Sequence, residues 1–369
     1  MASVLIAATA VAAAPAQAQS EIRLKHRVLK VIGTNRSDII TVTTYAGFFT
    51  VQINNKRVVI RRPTLRKIRV DGRAGDDTIR LIRSGGLTPP ATVSGGAGND
   101  VLGGYVADPH QLPRPSTSSR ATSGWTSSDP SVLLDGGDGD DLLVGADWMF
   151  GGAGNDRLLD LWLGTQTLTF DAGPGDDYVA GAPETSGDLG DGNDTYYGYR
   201  SDCRCGVDNI GDSSSVVAGG AGNDTLQAGD GAMTFDAGPG DDVVTGGYRL
   251  ATGTLGDGND NYAGSIGAST VQGGAGNDQF ASSGAEAEFE GDTGADVFVA
   301  GRTYDGHKRV VGHQTVSDFG TDADLVHLGD GLSVHSGAGT PTVTVWDGTV
   351  DVGTVTAANG HPWTAADFS

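Results

Sequence analysis

Eleven aspartates in this chain are set apart by their spacing and their neighbours. Five of them, Asp224, Asp242, Asp260, Asp278 and Asp296, follow one another at intervals of 18 residues. Each closes a glycine-rich hexapeptide: G-G-A-G-N-D at Gly219–Asp224 and again at Gly273–Asp278, A-G-P-G-D-D at Ala237–Asp242, L-G-D-G-N-D at Leu255–Asp260 and G-D-T-G-A-D at Gly291–Asp296. Six more lie upstream at Asp77, Asp100, Asp141, Asp156, Asp177 and Asp194. Two residues after every one of the eleven comes an apolar or aromatic side chain, as in Leu226, Val244, Tyr262, Phe280 and Phe298. One carboxylate per period, preceded by glycines that can turn backbone carbonyls toward it, offers hard oxygen ligands to a cation.

A short strand and a tight turn take about nine residues, so two of each close a flattened coil of about 18. Stacking such coils sets each aspartate about 4.8 Å from the next. Like charges at that separation repel by about 1 kcal/mol in water and by more at lower dielectric, so the row needs a counter-ion. Calcium suits it, being a hard ion that takes six to eight oxygens and accepts carbonyls beside carboxylates. The opposite turns, such as Gly264–Ala268 and Ser283–Ala287, lack a repeated carboxylate, which predicts a ladder along one edge only.

The hexapeptides and their apolar followers resemble the nonapeptide repeat of the RTX (repeats-in-toxin, hemolysin-type) calcium-binding family. The resemblance implies an all-β, parallel β-roll or β-helix solenoid with several Ca2+ ions shared between adjacent loops. It places the metal-binding role on Asp77, Asp100, Asp141, Asp156, Asp177, Asp194, Asp224, Asp242, Asp260, Asp278 and Asp296. The chain departs from the tightest arrays of the family, in which the motif recurs every nine residues and both edges bind metal.

The segments flanking the repeats set its expected limits. Residues 1–18 read as a secretory signal, with an apolar stretch Val4–Ala14 and the small-x-small site Ala16-Gln17-Ala18, although no Lys or Arg precedes it. Residues 19–70 form a basic, β-rich head expected to cap the roll, with strands at Val28–Ile32, Ile39–Thr44, Phe48–Ile53, Arg57–Ile60 and Ile68–Val70 and a hairpin at Asn54-Asn55. The roll spans 71–299, interrupted by a Pro/Ser/Thr-rich insertion at 105–131 and a second at about 200–212, which holds the only cysteines, Cys203 and Cys205. Two cysteines make no disulfide framework, and a local bridge, a bond to another chain and free thiols all stay open. Gly151–Asp194 and Gly219–Asp260 repeat the same three motifs in the same order, a duplicated block. Residues 300–369 lose the repeat and are expected to form a β cap. There Val316–Val326 resembles the segment that closes RTX arrays, and the C-terminal ending is compatible with type I export.

Composition agrees with a thin, stacked core. Glycine contributes 60 of 369 residues and aromatics only 7%. The net charge of −22 is uneven: Glu21–Arg83 holds 15 Lys/Arg against 5 Asp/Glu, and the rest holds 9 against 41. The acidic body argues against nucleic acid as a partner. No apolar run is long enough for a comfortable membrane span. The basic cluster of the head is read either as a patch for an anionic polymer such as a cell-surface polysaccharide, or as a face that is solvated or docked on the acidic body. No H-E-x-x-H or G-x-S-x-G motif is present, so no catalytic site is expected. The reading is a secreted, extracellular calcium-binding protein that folds as it takes up metal, with an adhesin or matrix protein as the alternative.

Overall fold

The computed structural model describes residues 19–61, 64–84, 89–106, 131–160, 167–182, 184–198, 214–264, 267–281, 286–300, 312–320, 324–328, 332–336, 339–347 and 350–368. Residues 1–18, expected to be a signal, most of the 105–131 insertion and the cysteine-bearing insertion lie outside them. Two long sheets run side by side through the chain, and within the repeats all neighbouring strands are parallel. In each coil a longer front strand, such as Ser214–Ala221, enters the glycine-rich turn. A three-residue back strand, such as Thr225–Gln227, leaves it, and the next front strand begins at Ala232. The register advances by 18 residues from Met233↔Ala251 to Ala251↔Ser269 to Ser269↔Ala287. The fold is a parallel β-roll.

Side-chain alternation gives the roll its core. In Ala232–Pro239, Met233, Phe235 and Ala237 point inward and are buried, while Thr234 and Asp236 face solvent. The apolar residues two places after the eleven aspartates, from Ile79 to Phe298, are all 0% exposed. Two sheets this close leave room for one layer of side chains, so aromatic rings stack along the axis: Phe280 on Phe298 at 5.2 Å, and Phe235 on Tyr262 at 6.2 Å. The duplicated block repeats its packing as well as its sequence. Phe170 stacks on Tyr196 at 6.3 Å as Phe235 stacks on Tyr262, and each tyrosine hydroxyl pairs with a serine, Ser215 or Ser269. Gly187 and Gly253 face those phenylalanine rings, where a Cβ would collide.

Coil stacking begins earlier than residue 71. Val28–Ile32 and Ile39–Tyr45 already pair in parallel with Lys67–Ala74 and Thr78–Arg83. The end beyond is closed by antiparallel strands. Glu21–Lys25 folds back on Val28–Ile32, and the hairpins Ile39–Tyr45, Phe48–Ile53 and Lys56–Ile60 extend the back sheet. At the other end Gly312–Val316 continues the front sheet and pairs with Val350–Ala357, which pairs antiparallel with Thr342–Asp347. Trp363 is buried there against Phe319 at 4.5 Å and Phe368 at 5.4 Å, its indole N–H donating to Pro341 O. Among the described residues no helix is long and apolar enough to cross a membrane.

A buried file of carboxylates as a candidate metal centre

The turn that follows each front strand needs two residues in the left-handed region. At Gly219–Asp224 these are Gly220 (φ 102°) and Gly222 (φ 133°). The demand at the second motif position is strong enough that Arg73 (φ 83°) and Asp292 (φ 64°) adopt it without being glycine. The turn delivers the closing aspartate inward, so all eleven predicted residues form a single file with 1–2% of their surface exposed.

The file is held by one repeated hydrogen bond. The backbone N–H of each aspartate donates to Oδ1 of the aspartate in the following coil: Asp177 to Asp194 at 2.7 Å, Asp224 to Asp242 at 2.7 Å, Asp242 to Asp260 at 2.7 Å, Asp260 to Asp278 at 2.9 Å. A second ladder runs on the outside of the turns in the opposite sense. There Asn or Asp at the fifth motif position accepts from the coil that follows it, as when Asp241 N–H donates to Asn223 Oδ1 and Asn259 N–H to Asp241 Oδ1. Each pair of turns is thus tied in both directions.

The inner ladder uses only one oxygen of each carboxylate. Oδ2 of Asp77, Asp100, Asp141, Asp156, Asp177, Asp194, Asp224, Asp242, Asp260 and Asp278 is buried without a hydrogen-bond partner. Where the first motif residue is glycine, this oxygen lies beneath it beside a carbonyl of the next coil. A Cβ on Gly95 would meet Asp100 Oδ2 and, at 2.7 Å, Gly136 O; one on Gly273 would meet Asp278 Oδ2 and, at 2.7 Å, Gly291 O. The coils are not equivalent. By register the position of Gly219 is taken by Leu189 in the coil before it, and Leu189 and Leu255 are fully buried.

Leaving a carboxylate oxygen buried and unpartnered is unfavourable, and its proton affinity records this. Burial, opposed in part by the hydrogen bond from the preceding aspartate and reinforced by neighbouring carboxylates, pushes Asp141 and Asp177 up to about 8. The same causes lift Asp77, Asp224, Asp242 and Asp278 to about 7. Asp100, Asp156 and Asp194 rise to about 6, and Asp260 is raised too. Either protons or cations must therefore accompany the file. Its donors, carboxylates beside backbone carbonyls, are those of a hard cation. Among the described residues no three acidic, histidine or cysteine side chains converge on one point, so carbonyls would have to supply most of any coordination shell.

The model of the RTX calcium-binding nonapeptide repeat matches residues 92–105, 218–247 and 254–284, in four copies. This chain carries RTX calcium-binding repeats. The matched stretches include the turns of Asp100, Asp224, Asp242, Asp260 and Asp278, all members of the file. No curated protein matches the chain. RTX nonapeptide repeats bind calcium, and the donors of the file suit that ion.

Sequence reasoning missed both ends of the file. Asp38 donates its N–H to Asp77 Oδ1 at 2.6 Å, and Asp324 accepts from Asp296 N–H at 3.2 Å. A signal was present at each: Gly33 stands five residues before Asp38, and Ile40 and Val326, both fully buried, stand two after Asp38 and Asp324. His313 is exposed and pairs with Thr354 Oγ1 at 2.9 Å. His307 and the two cysteines lie outside the described residues.

Proposed function

We propose that the chain is a secreted protein whose RTX roll folds as it takes up extracellular calcium. The supporting observation is the row of ten buried Oδ2 atoms without partners, in a chain of net charge −22. Without a cation those carboxylates repel one another and oppose closure of the coils. Bound calcium would supply the positive charge that offsets their burial, and its binding energy would become folding energy. The chain's part is to hold each carboxylate by Oδ1 while leaving Oδ2 for the ion. The eleven aspartates from Asp77 to Asp296 are the proposed ligands. Extracellular modules of this kind bind at about 10⁻⁴–10⁻³ M, a range that keeps the chain open inside a cell and folded outside. In this reading residues 1–18 are the export signal, 19–70 and 300–369 are the end caps, and 71–299 is the metal-dependent body.

The test is a calcium titration of metal-stripped protein followed by far-UV circular dichroism, with ion content measured on the refolded chain. A gain of β signal at submillimolar to millimolar calcium is expected. A β signal already complete at neutral pH without metal, or no uptake of ions, would sink the reading.

A second reading, attachment to an anionic polymer through the basic head, has one observation in its favour. Arg23, Lys30 and Arg69 sit opposite one another on three adjacent strands and are all exposed, so they are not docked on the acidic body. Arg23 pairs with Glu21; the like charges facing one another at Lys30 and Arg69 are destabilising unless something anionic covers them. Salt-sensitive retention of the full chain on an acidic polysaccharide, lost in a Lys30→Glu/Arg69→Glu variant, would support it.

A further inference from the structure

We propose that the carboxylate file has metal-free stops at both ends, and that the stop at the N-terminal end is a side-chain amide standing in for a missing coil. The inference rests on the calcium reading above and concerns where the metal-dependent part begins and finishes.

Inside the file, each coil offers the next a peptide unit in a fixed way. The N–H of its aspartate donates to the next aspartate's Oδ1, and the C=O of the same aspartate accepts the N–H of the residue after that next aspartate. Asp77 shows both bonds toward its successor: its N–H reaches Asp100 Oδ1 at 2.6 Å and its C=O accepts Val101 N–H at 2.8 Å. Asp38 belongs to the first described coil and has no predecessor among the described residues. In its place stands Asn54, at the tip of the hairpin between Phe48–Ile53 and Lys56–Ile60, with φ 51°. Its Nδ2 donates to Asp38 Oδ1 at 2.6 Å, and its Oδ1 accepts Ile39 N–H at 2.8 Å. The carboxamide thus makes the same two bonds that a preceding peptide would make.

The other oxygen of Asp38 is closed as well. Oδ2 accepts from Thr34 N–H at 2.5 Å and from Thr34 Oγ1 at 2.9 Å. Asp324 is treated alike at the far end, with Oδ1 taken by Asp296 N–H and Oδ2 by Gly320 N–H at 2.8 Å. Donors from the chain therefore occupy both oxygens of the terminal aspartates, whereas ten between them keep one oxygen buried and unpartnered. The first coil and its hairpin need no cation to satisfy Asp38 and remain folded when the middle of the roll is stripped.

Hydrogen exchange on the full chain, with and without calcium, tests this together with ion counting. In metal-free buffer at neutral pH, the amides of Asp38 and Ile39 should keep their protection while those of 219–298 lose it. Asn54→Asp keeps the size and the tolerance for positive φ but replaces the donor with a second carboxylate facing Asp38. It should lower metal-free protection at Ile39 by tenfold or more. Asp38→Ala should leave the bound calcium count unchanged, whereas Asp224→Ala should reduce it by at least one. Loss of an ion in Asp38→Ala, or unchanged metal-free protection at Ile39 in Asn54→Asp, would overturn the proposal. If Asp224→Ala loses no ion while Ile39 behaves as stated, the calcium assignment of the file fails and the end stop stands.

Discussion

In the absence of calcium, mild acid should hold the roll together and neutral pH should open it. The perturbation is a simple pH change on metal-stripped protein. Nine aspartates of the file have proton affinities raised from an ordinary 3.8 to about 6, 7 or 8, burial being the largest cause. Between about pH 4 and those values the folded chain holds protons that the unfolded chain has released. Unfolding then releases protons, so stability is fully present below the unfolded value and falls as pH rises through the folded ones. Each proton held in this way contributes a slope of about 1.4 kcal/mol per pH unit. Three protons held among the nine sites would give about 4 kcal/mol per unit, or about 8 kcal/mol between pH 5 and pH 7. That is the size of a whole domain's stability, about 5–15 kcal/mol. The assay is the urea midpoint by circular dichroism at pH 5, 6, 7 and 8, kept above the isoelectric point near 4.4. In metal-free buffer the midpoint should drop steeply from pH 5 to 8, and at millimolar calcium it should be flat or rise, because ions displace the protons. A metal-free midpoint that is level or climbs with pH would refute the claim that buried, unpartnered carboxylates control folding.

The remaining predictions concern single side chains. Phe280→Ala removes a ring stacked on Phe298 and within 5.0 Å of Phe289; a loss of about 3–5 kcal/mol in the calcium-loaded state is expected from denaturant titration. Gly240→Ala puts a Cβ against Gly222 O at a φ of 146°, so the variant should lose upwards of about 2 kcal/mol and need more calcium to fold, read from the titration midpoint. Asn277→Ala removes the exposed outer acceptor of Ala295 N–H and the amide donor to Asn259 Oδ1 and should cost about 1 kcal/mol by the same measurement, far less than Asp278→Ala on the inner file. Trp363→Ala empties the pocket formed with Phe319 and Phe368; about 3–5 kcal/mol should be lost, with hydrogen exchange rising first in 342–357.

The glycine-rich hexapeptide closing on aspartate with an apolar follower, repeated eleven times and every 18 residues from Asp224 to Asp296, determined the coil, the parallel roll and the placing of the carboxylates on one edge. These properties are periodic, and a period can be read from a linear string. Strand limits in the head and the hairpin at Asn54 were legible for a similar reason, because alternation and turn residues act locally. What the string could not show is which oxygen of each aspartate is used. Only stacking reveals that Oδ1 is taken by the preceding coil's N–H while Oδ2 is stranded, since the two atoms are equivalent in sequence. Nor could it show that Leu189 and Leu255 fill the place that Gly219 leaves open, or that Asp38 and Asp324 belong to the file, because their motifs lack the full glycine pattern. The stand-in role of Asn54 depends on a contact across 16 residues between a hairpin tip and a turn. The tertiary fold brings those groups together because no coil among the described residues precedes the first one, and its hydrogen-bonding groups on that side must be met by whatever side chain can copy a coil.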